Sequence, residues 1–152
     1  MLVENCRLIP FPKIVDSRGT LTCIESEQHI PFSVRRVFYL YDVPHGQTRG
    51  AHAHKELHQV LVCLAGSFDV IVEDGRTEKR FHLDQPSIGL YVPPLIWDTE
   101  VDFAAGTVCM VLASDHYDES DYYRDYGGYL RAVRTAQESA EALTPIAARH
   151  NA

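Results

Sequence analysis

From the N-terminus to about residue 113, short runs of Val, Ile, Leu, Phe and Tyr are punctuated by Gly, Pro and Asp, and no helical period is sustained. Runs this short favour strands, in which side chains alternate between two faces. Strands are expected near 20–25, 35–42, 57–65, 67–73, 77–83, 88–92 and 106–113, with Asp74-Gly75 as a hairpin turn. Regular strands joined by short turns close into a sandwich or barrel, so the chain reads as all-β. In 35–42, Val37, Tyr39 and Tyr41 share one face, and Tyr39 is expected to face the interior. After residue 116 the pattern changes: Asp118 can cap a short helix, and 131–152 reads as a helical or frayed tail. The expectation is a single domain over 1–152 with its core at about 8–130, without repeat, linker or second module.

Charge narrows the partners. The net charge is −7, and only three of the fourteen basic residues are lysines (Lys13, Lys55, Lys79), which argues against nucleic acid. Eleven arginines leave a small phosphorylated ligand open, since the guanidinium fork suits phosphate. Cys6, Cys23, Cys63 and Cys109 form no C-x-x-C pair, and the last two sit in apolar runs, which fits a reducing cytoplasm. No signal-peptide pattern or run long enough to span a bilayer is present, so no membrane association is expected.

Four of the eight histidines, His45, His52, His54 and His58, fall within fourteen residues. On an extended strand His52 and His54 point to the same face, so two imidazoles can converge on one pocket. Imidazole titrates near neutrality and also ligates metals, so this pair suits proton transfer or a metal.

The stretch resembles the first cupin motif, G-x5-H-x-H-x4-E-x6-G, through Gly46, His52, His54 and Gly66, with Gln59 in the glutamate position. The resemblance implies a cupin-type jelly-roll barrel, closed by a short C-terminal helical segment, with the histidine strand inside. In metal-binding cupins the glutamate and a further histidine are ligands. Here Gln59 replaces the one, and Trp97, after Tyr91-Val-Pro-Pro-Leu-Ile, stands where the other would be. An amide is a poor divalent-metal ligand and an indole N–H only donates, so no catalytic metal is expected.

Over about 8–130 the chain also resembles the dTDP-4-keto-6-deoxyglucose 3,4-ketoisomerases, the WxcM-like group. The resemblance rests on Asp16-Ser-Arg18-Gly19, Pro31 to Tyr39, Arg49-Gly50-Ala-His52-Ala-His54-Lys55, Gln59 to Ser67, Gly89 to Pro93 and Ala113 to Tyr122. It implies that a ketone moves from C4 to C3 of a dTDP-linked 4-keto-6-deoxyhexose through an enediol. No nicotinamide, flavin or other cofactor is then needed, and no Gly-rich dinucleotide fingerprint follows any strand. By the resemblance His52 and His54 are the proton-transfer pair, and a homodimer with exchanged N-terminal strands is implied.

Around that pair, Tyr39 is the candidate to stabilise or protonate the enediolate oxygen. Arg49 is the first candidate for pyrophosphate or the ketone, and Arg18 the second. Gln59 is expected on the barrel wall beside the sugar, with Tyr91 and Trp97 offering a surface to thymine or the sugar ring. His45, His58, His82 and His116 read as structural or solvent-facing, and the acidic, tyrosine-rich 117–129 stretch as structural or interfacial. Rival functions are a metal-dependent cupin enzyme, a 3,5-epimerase of dTDP-keto-sugars, and a sugar-nucleotide-binding domain without catalysis.

Overall fold

The apolar runs pair edge to edge into antiparallel sheets. The computed structural model describes residues 1–143. After a 3-10 turn (Val3–Asn5) come β1 (Arg7–Pro10), β2 (Lys13–Asp16), β3 (Gly19–Thr22), β4 (Arg36–Leu40), β5 (Arg49–His54) and β6 (Gln59–Ala65). They are followed by β7 (Phe68–Glu73), β8 (Glu78–Leu83), β9 (Ile88–Val92), β10 (Trp97–Val101) and β11 (Val108–Ala113). A second 3-10 turn (Glu119–Asp121) leads into β12 (Tyr122–Tyr123) and α1 (Tyr126–Leu143).

One sheet runs β1-β9-β6-β11-β4, the other β12-β5-β10-β7-β8, and β2-β3 forms a separate hairpin. The two large sheets face each other as a jelly-roll sandwich. Leu61, Cys63, Leu90, Val92 and Val111 of the first meet Phe68, Val70, Val72 and Leu83 of the second. Each such side chain taken from water stabilises the fold by roughly 1.5–3 kcal/mol. The outer face of the first sheet (Val60, Val62, Tyr91, Leu112) is covered by Phe11, Ile30 and Phe32. The outer face of the second is covered by α1, where Tyr129 and Val133 pack on Ala53 and Trp97. The Tyr129 hydroxyl donates to the Glu73 carbonyl at 2.8 Å, pinning the helix to β7.

The expected strands recur with trimmed ends, but the 20–25 run is the second half of the β2-β3 hairpin. β1, β2 and β12 lie outside the expected strands, and so does β10. Its buried face carries Asp98 and Glu100, so it lacks the apolar alternation by which a strand is recognised. The helix begins at Tyr126, ahead of the expected tail, because Tyr129 and Val133 at i and i+4 give it an apolar stripe despite Gly127-Gly128. The tail beyond 143 lies outside the described residues.

The alternation in β4 has the opposite sense to that expected. Phe38 and Leu40 pack against the inter-sheet core. Tyr39 is 61% exposed, and its ring lies 5.8 Å from that of Tyr41. A one-residue change of phase sends every side chain of a strand to the other face. Two short aliphatic-aromatic faces of similar hydropathy left that phase open.

Candidate active site

β5 positions the site, and a bulge sets its phase. Opposite β10 the register steps from Asp98↔His52 to Thr99↔Gly50, leaving Ala51 as the extra residue. Gly50 and Ala51 both have left-handed backbones, at φ 69° and 58°. At Gly50 the glycine is required twice over, since a Cβ would stand 2.6 Å from Glu100 Oε2. Beyond the bulge, alternation sends Ala53 outward beneath α1 and brings His52 and His54 to one face, their ring centroids 5.0 Å apart.

The two histidines differ. His54 is 4% exposed and its Nδ1 lies 2.9 Å from Asp121 Oδ2. Asp121 Oδ1 accepts the Glu56 N–H at 2.9 Å, so both carboxylate oxygens are engaged. Burial, and then the neighbouring His52, push the His54 imidazole down to about 4, outweighing the pull of Asp121. The neutral ring therefore donates Nδ1–H to Asp121 and keeps the lone pair on Nε2. Tyr122 lies across both rings, at 4.3 Å from His54 and 5.1 Å from His52.

His52 opens onto a cavity of about 80 Å³ lined also by Phe38, Leu40, Arg49, Gly50, Gln59 and Glu100. Burial lowers its affinity for a proton, while the neighbouring Glu100 opposes the fall. Gln59 Nε2 donates to Asp98 Oδ2 at 2.8 Å behind the cavity wall. Asp98 and Glu100 are both buried, and burial raises the pKa of each, with the neighbouring Asp98 raising Glu100 further. His52 Nδ1, Asp98 Oδ1 and Glu100 Oε2 are buried without a hydrogen-bond partner within the protein.

The structure thus gathers His52, His54, Arg49 and Gln59, and leaves four expected residues elsewhere. Tyr39 points away from the cavity on the outer face of β4. Tyr91 belongs to the outer face of the first sheet, its hydroxyl 2.7 Å from His58 Nδ1 and its ring under Arg7. Trp97 is buried between β10 and α1, against Tyr126 and Tyr129. Both aromatics occupy the strand positions that alternate away from the inter-sheet space. Arg18, 89% exposed, pairs with Asp16 at the tip of the β2-β3 hairpin.

Four residues join the site that sequence reasoning did not assign to it: Asp121, Tyr122, Asp98 and Glu100. The sequence assigns the 117–129 stretch a structural or interfacial place, yet Asp118 caps the 3-10 turn through Ser120 N–H, and β12 then pairs Tyr122 with His54. A signal was present in the D-x-S-D-Y-Y string, whose capping residue fixes where the next acid points. Among the described residues, no group of three or more His, Cys, Asp or Glu side chains is arranged to hold a metal ion.

A jelly roll with paired inward imidazoles, one oriented by a carboxylate and the other facing a cavity, is a cupin-type fold whose pocket has the chemistry for proton transfer. The chain belongs to the family described as FdtA: WxcM-like, C-terminal, whose model matches residues 4–134. It is 50% identical over 131 residues to the TDP-4-oxo-6-deoxy-alpha-D-glucose-3,4-oxoisomerase of Aneurinibacillus thermoaerophilus, covering 86% of this chain and 94% of that protein. It is 44% identical to the sugar 3,4-ketoisomerase QdtA of Thermoanaerobacterium thermosaccharolyticum, solved in complex with TDP, with a TM-score of 0.86 over 89% of this chain and 98% of that one. The 4-keto-6-deoxy sugar epimerase NovW of Streptomyces spheroides, 18% identical with a TM-score of 0.68 over 79% of this chain and 68% of its own, shares the fold.

Proposed function

We propose that this protein is a sugar-nucleotide 3,4-ketoisomerase that converts a dTDP-linked 4-keto-6-deoxyhexose to the 3-keto isomer by histidine acid/base catalysis without a metal. The observation that carries the reading is the unequal histidine pair. His52 faces the cavity, and His54 is held behind it by Asp121. The enzyme class follows the relatives, of which the one at 50% identity is a 3,4-oxoisomerase.

The chemistry needs a base for the C3 proton and an acid for C4, with the ketone carried across an enediol. His52 is the group placed to take the proton from the sugar, since it alone of the pair lines the cavity. His54, neutral and fixed in one tautomer, orients the pair and shares its proton load. Arg49, at the cavity rim and exposed, has its fork free to meet the pyrophosphate or the sugar ketone. Gln59 anchors the wall on the sugar side. The net change is an internal oxidation of C3 and reduction of C4, so no external electron carrier is consumed.

The assembly proposed is a homodimer in which the β2-β3 hairpin crosses to the second copy. The hairpin exposes Ile14, Val15 and Leu21, and β4 ends its sheet with Val37 and Tyr39 exposed beside an unpaired edge. Such an edge with apolar neighbours is the place for strand exchange. No described helix is long and apolar enough to cross a membrane. A cytoplasmic location is proposed, in keeping with four cysteines that are all free thiols.

The test is proton NMR of chelator-treated protein with dTDP-4-keto-6-deoxyglucose in deuterated buffer. Formation of the 3-keto sugar with deuterium at the reacting carbons supports the reading. Label at C5 with the ketone unmoved marks an epimerase and overturns it, as does a requirement for added divalent metal.

A further inference from the structure

With Tyr39 turned outward, the oxygen side of the reaction lacks the acid assigned to it. Moving a ketone from C4 to C3 transfers two protons at carbon and two at oxygen: O4 gains one and O3 loses one. Among the described residues lining the cavity, Arg49 and Gln59 cannot exchange protons at neutral pH, which leaves His52 and Glu100.

Glu100 is built into that wall. It is 5% exposed, it lines the cavity, and its Oε2 has no hydrogen-bond partner within the protein. Its neighbour Asp98 is also buried and accepts from Gln59. Two neighbouring buried carboxyls cannot both ionise cheaply, so the pair keeps at least one proton. Gly50 has no side chain where Glu100 Oε2 sits, and its left-handed backbone reserves that space.

We propose that Glu100, backed by Asp98, is the oxygen-side catalytic residue of this isomerase, giving a proton to one sugar oxygen and taking one from its neighbour. The proposal rests on the ketoisomerase reading. As His52 takes the C3 proton, the C–H electron pair forms the C3=C4 bond. The C4=O4 π pair moves to O4, which receives the Glu100 proton. The Glu100 carboxylate then takes the O3 hydroxyl proton, the freed pair forms C3=O3, and the C3=C4 pair takes a proton at C4 from the histidine pair. Both protein groups return to their starting state.

Glu100→Gln tests this, because the amide keeps size and hydrogen bonding and cannot transfer a proton. Wild-type conversion is measured first; if it fails, the ketoisomerase reading fails and the variant is not the cause. Given wild-type turnover, the variant should lose about 10²-fold or more in kcat. Its dTDP affinity should stay, and deuterium exchange at C3 of recovered substrate should outlast ketone migration. Wild-type kcat, or parallel loss of exchange, migration and dTDP binding, overturns the proposal.

If Glu100→Gln does not fold, Asp98→Asn decides. The groups facing the pair are Arg49 and His52 on β5, Gln59 on β6, Cys109 on β11 and Cys6 ahead of β1; β7 presents Val70 and Val72. Without the Asp98 charge, Glu100 loses its proton at lower pH, so the alkaline fall in kcat should move to lower pH. An unmoved alkaline limb overturns the proposal.

Discussion

Replacing Asp121 with Asn separates the orientation of His54 from everything else in the site. Asp121 serves two donors, His54 Nδ1–H at 2.9 Å through Oδ2 and Glu56 N–H at 2.9 Å through Oδ1. Asparagine has one acceptor oxygen, so one donor is left facing an NH₂ group. A hydrogen bond to a charged acceptor contributes about 1.5–3 kcal/mol. If that energy holds the imidazole in its working tautomer, at about 1.36 kcal/mol per decade its loss lowers kcat by about 10- to 150-fold. The same loss in the folded state corresponds to a fall in Tm of roughly 3–12 °C for a domain of this size. Because Asp121 does not line the cavity with His52, dTDP affinity should hold. Stopped-assay NMR turnover, calorimetric dTDP titration and thermal melts on Asp121→Asn provide the three numbers. A kcat within twofold of wild type, with Tm unchanged, would refute the orienting role. A kcat that falls only in step with dTDP affinity would refute it as well.

Two sets of buried groups bias stability against pH in opposite senses. His54, neutral in the fold and depressed to about 4, must charge on unfolding below its ordinary 6.5, so stability is lost as pH drops from about 6.5 towards 4. Asp98 and Glu100 are raised, so their contribution is present at low pH and is lost as pH rises through their folded values; Glu100→Gln should raise Tm relative to wild type above pH 8, and an unchanged difference across pH would refute this. Trp97→Ala, by emptying the seam between β10 and α1, should cost about 3–5 kcal/mol in chemical denaturation while the folded fraction keeps its kcat; a loss confined to kcat would return Trp97 to the site. Arg49→Ala should raise KM with little change in kcat if the guanidinium meets pyrophosphate, and the reverse split would place it at the reacting sugar.

The sequence alone settled what depends on local pattern. Short apolar runs broken by Gly, Pro and Asp specify strands, so the all-β class, most of the strands and the hairpin at Asp74-Gly75 follow from alternation and turn chemistry. The His-x-His spacing put His52 and His54 on one face before any tertiary contact was known, because a period of two is a property of a strand. What alternation cannot fix is which of the two faces turns inward, since both sets in β4 and in β9 are apolar enough to bury. That choice belongs to the second sheet and to α1: they draw Phe38 and Leu40 inside, send Tyr39 out, and cover Trp97 with Tyr129. Burial of Asp98 and Glu100 was equally invisible, because two acids on a strand read as surface until a bulge at Gly50-Ala51 and the Gln59 amide give them a place inside. Asp121 reaches His54 across sixty-seven residues, a distance that only pairing of β12 with β5 closes. Strand identity is local free energy; the facing of strands and the pairing of charges are decided by which surfaces the whole chain can remove from water together.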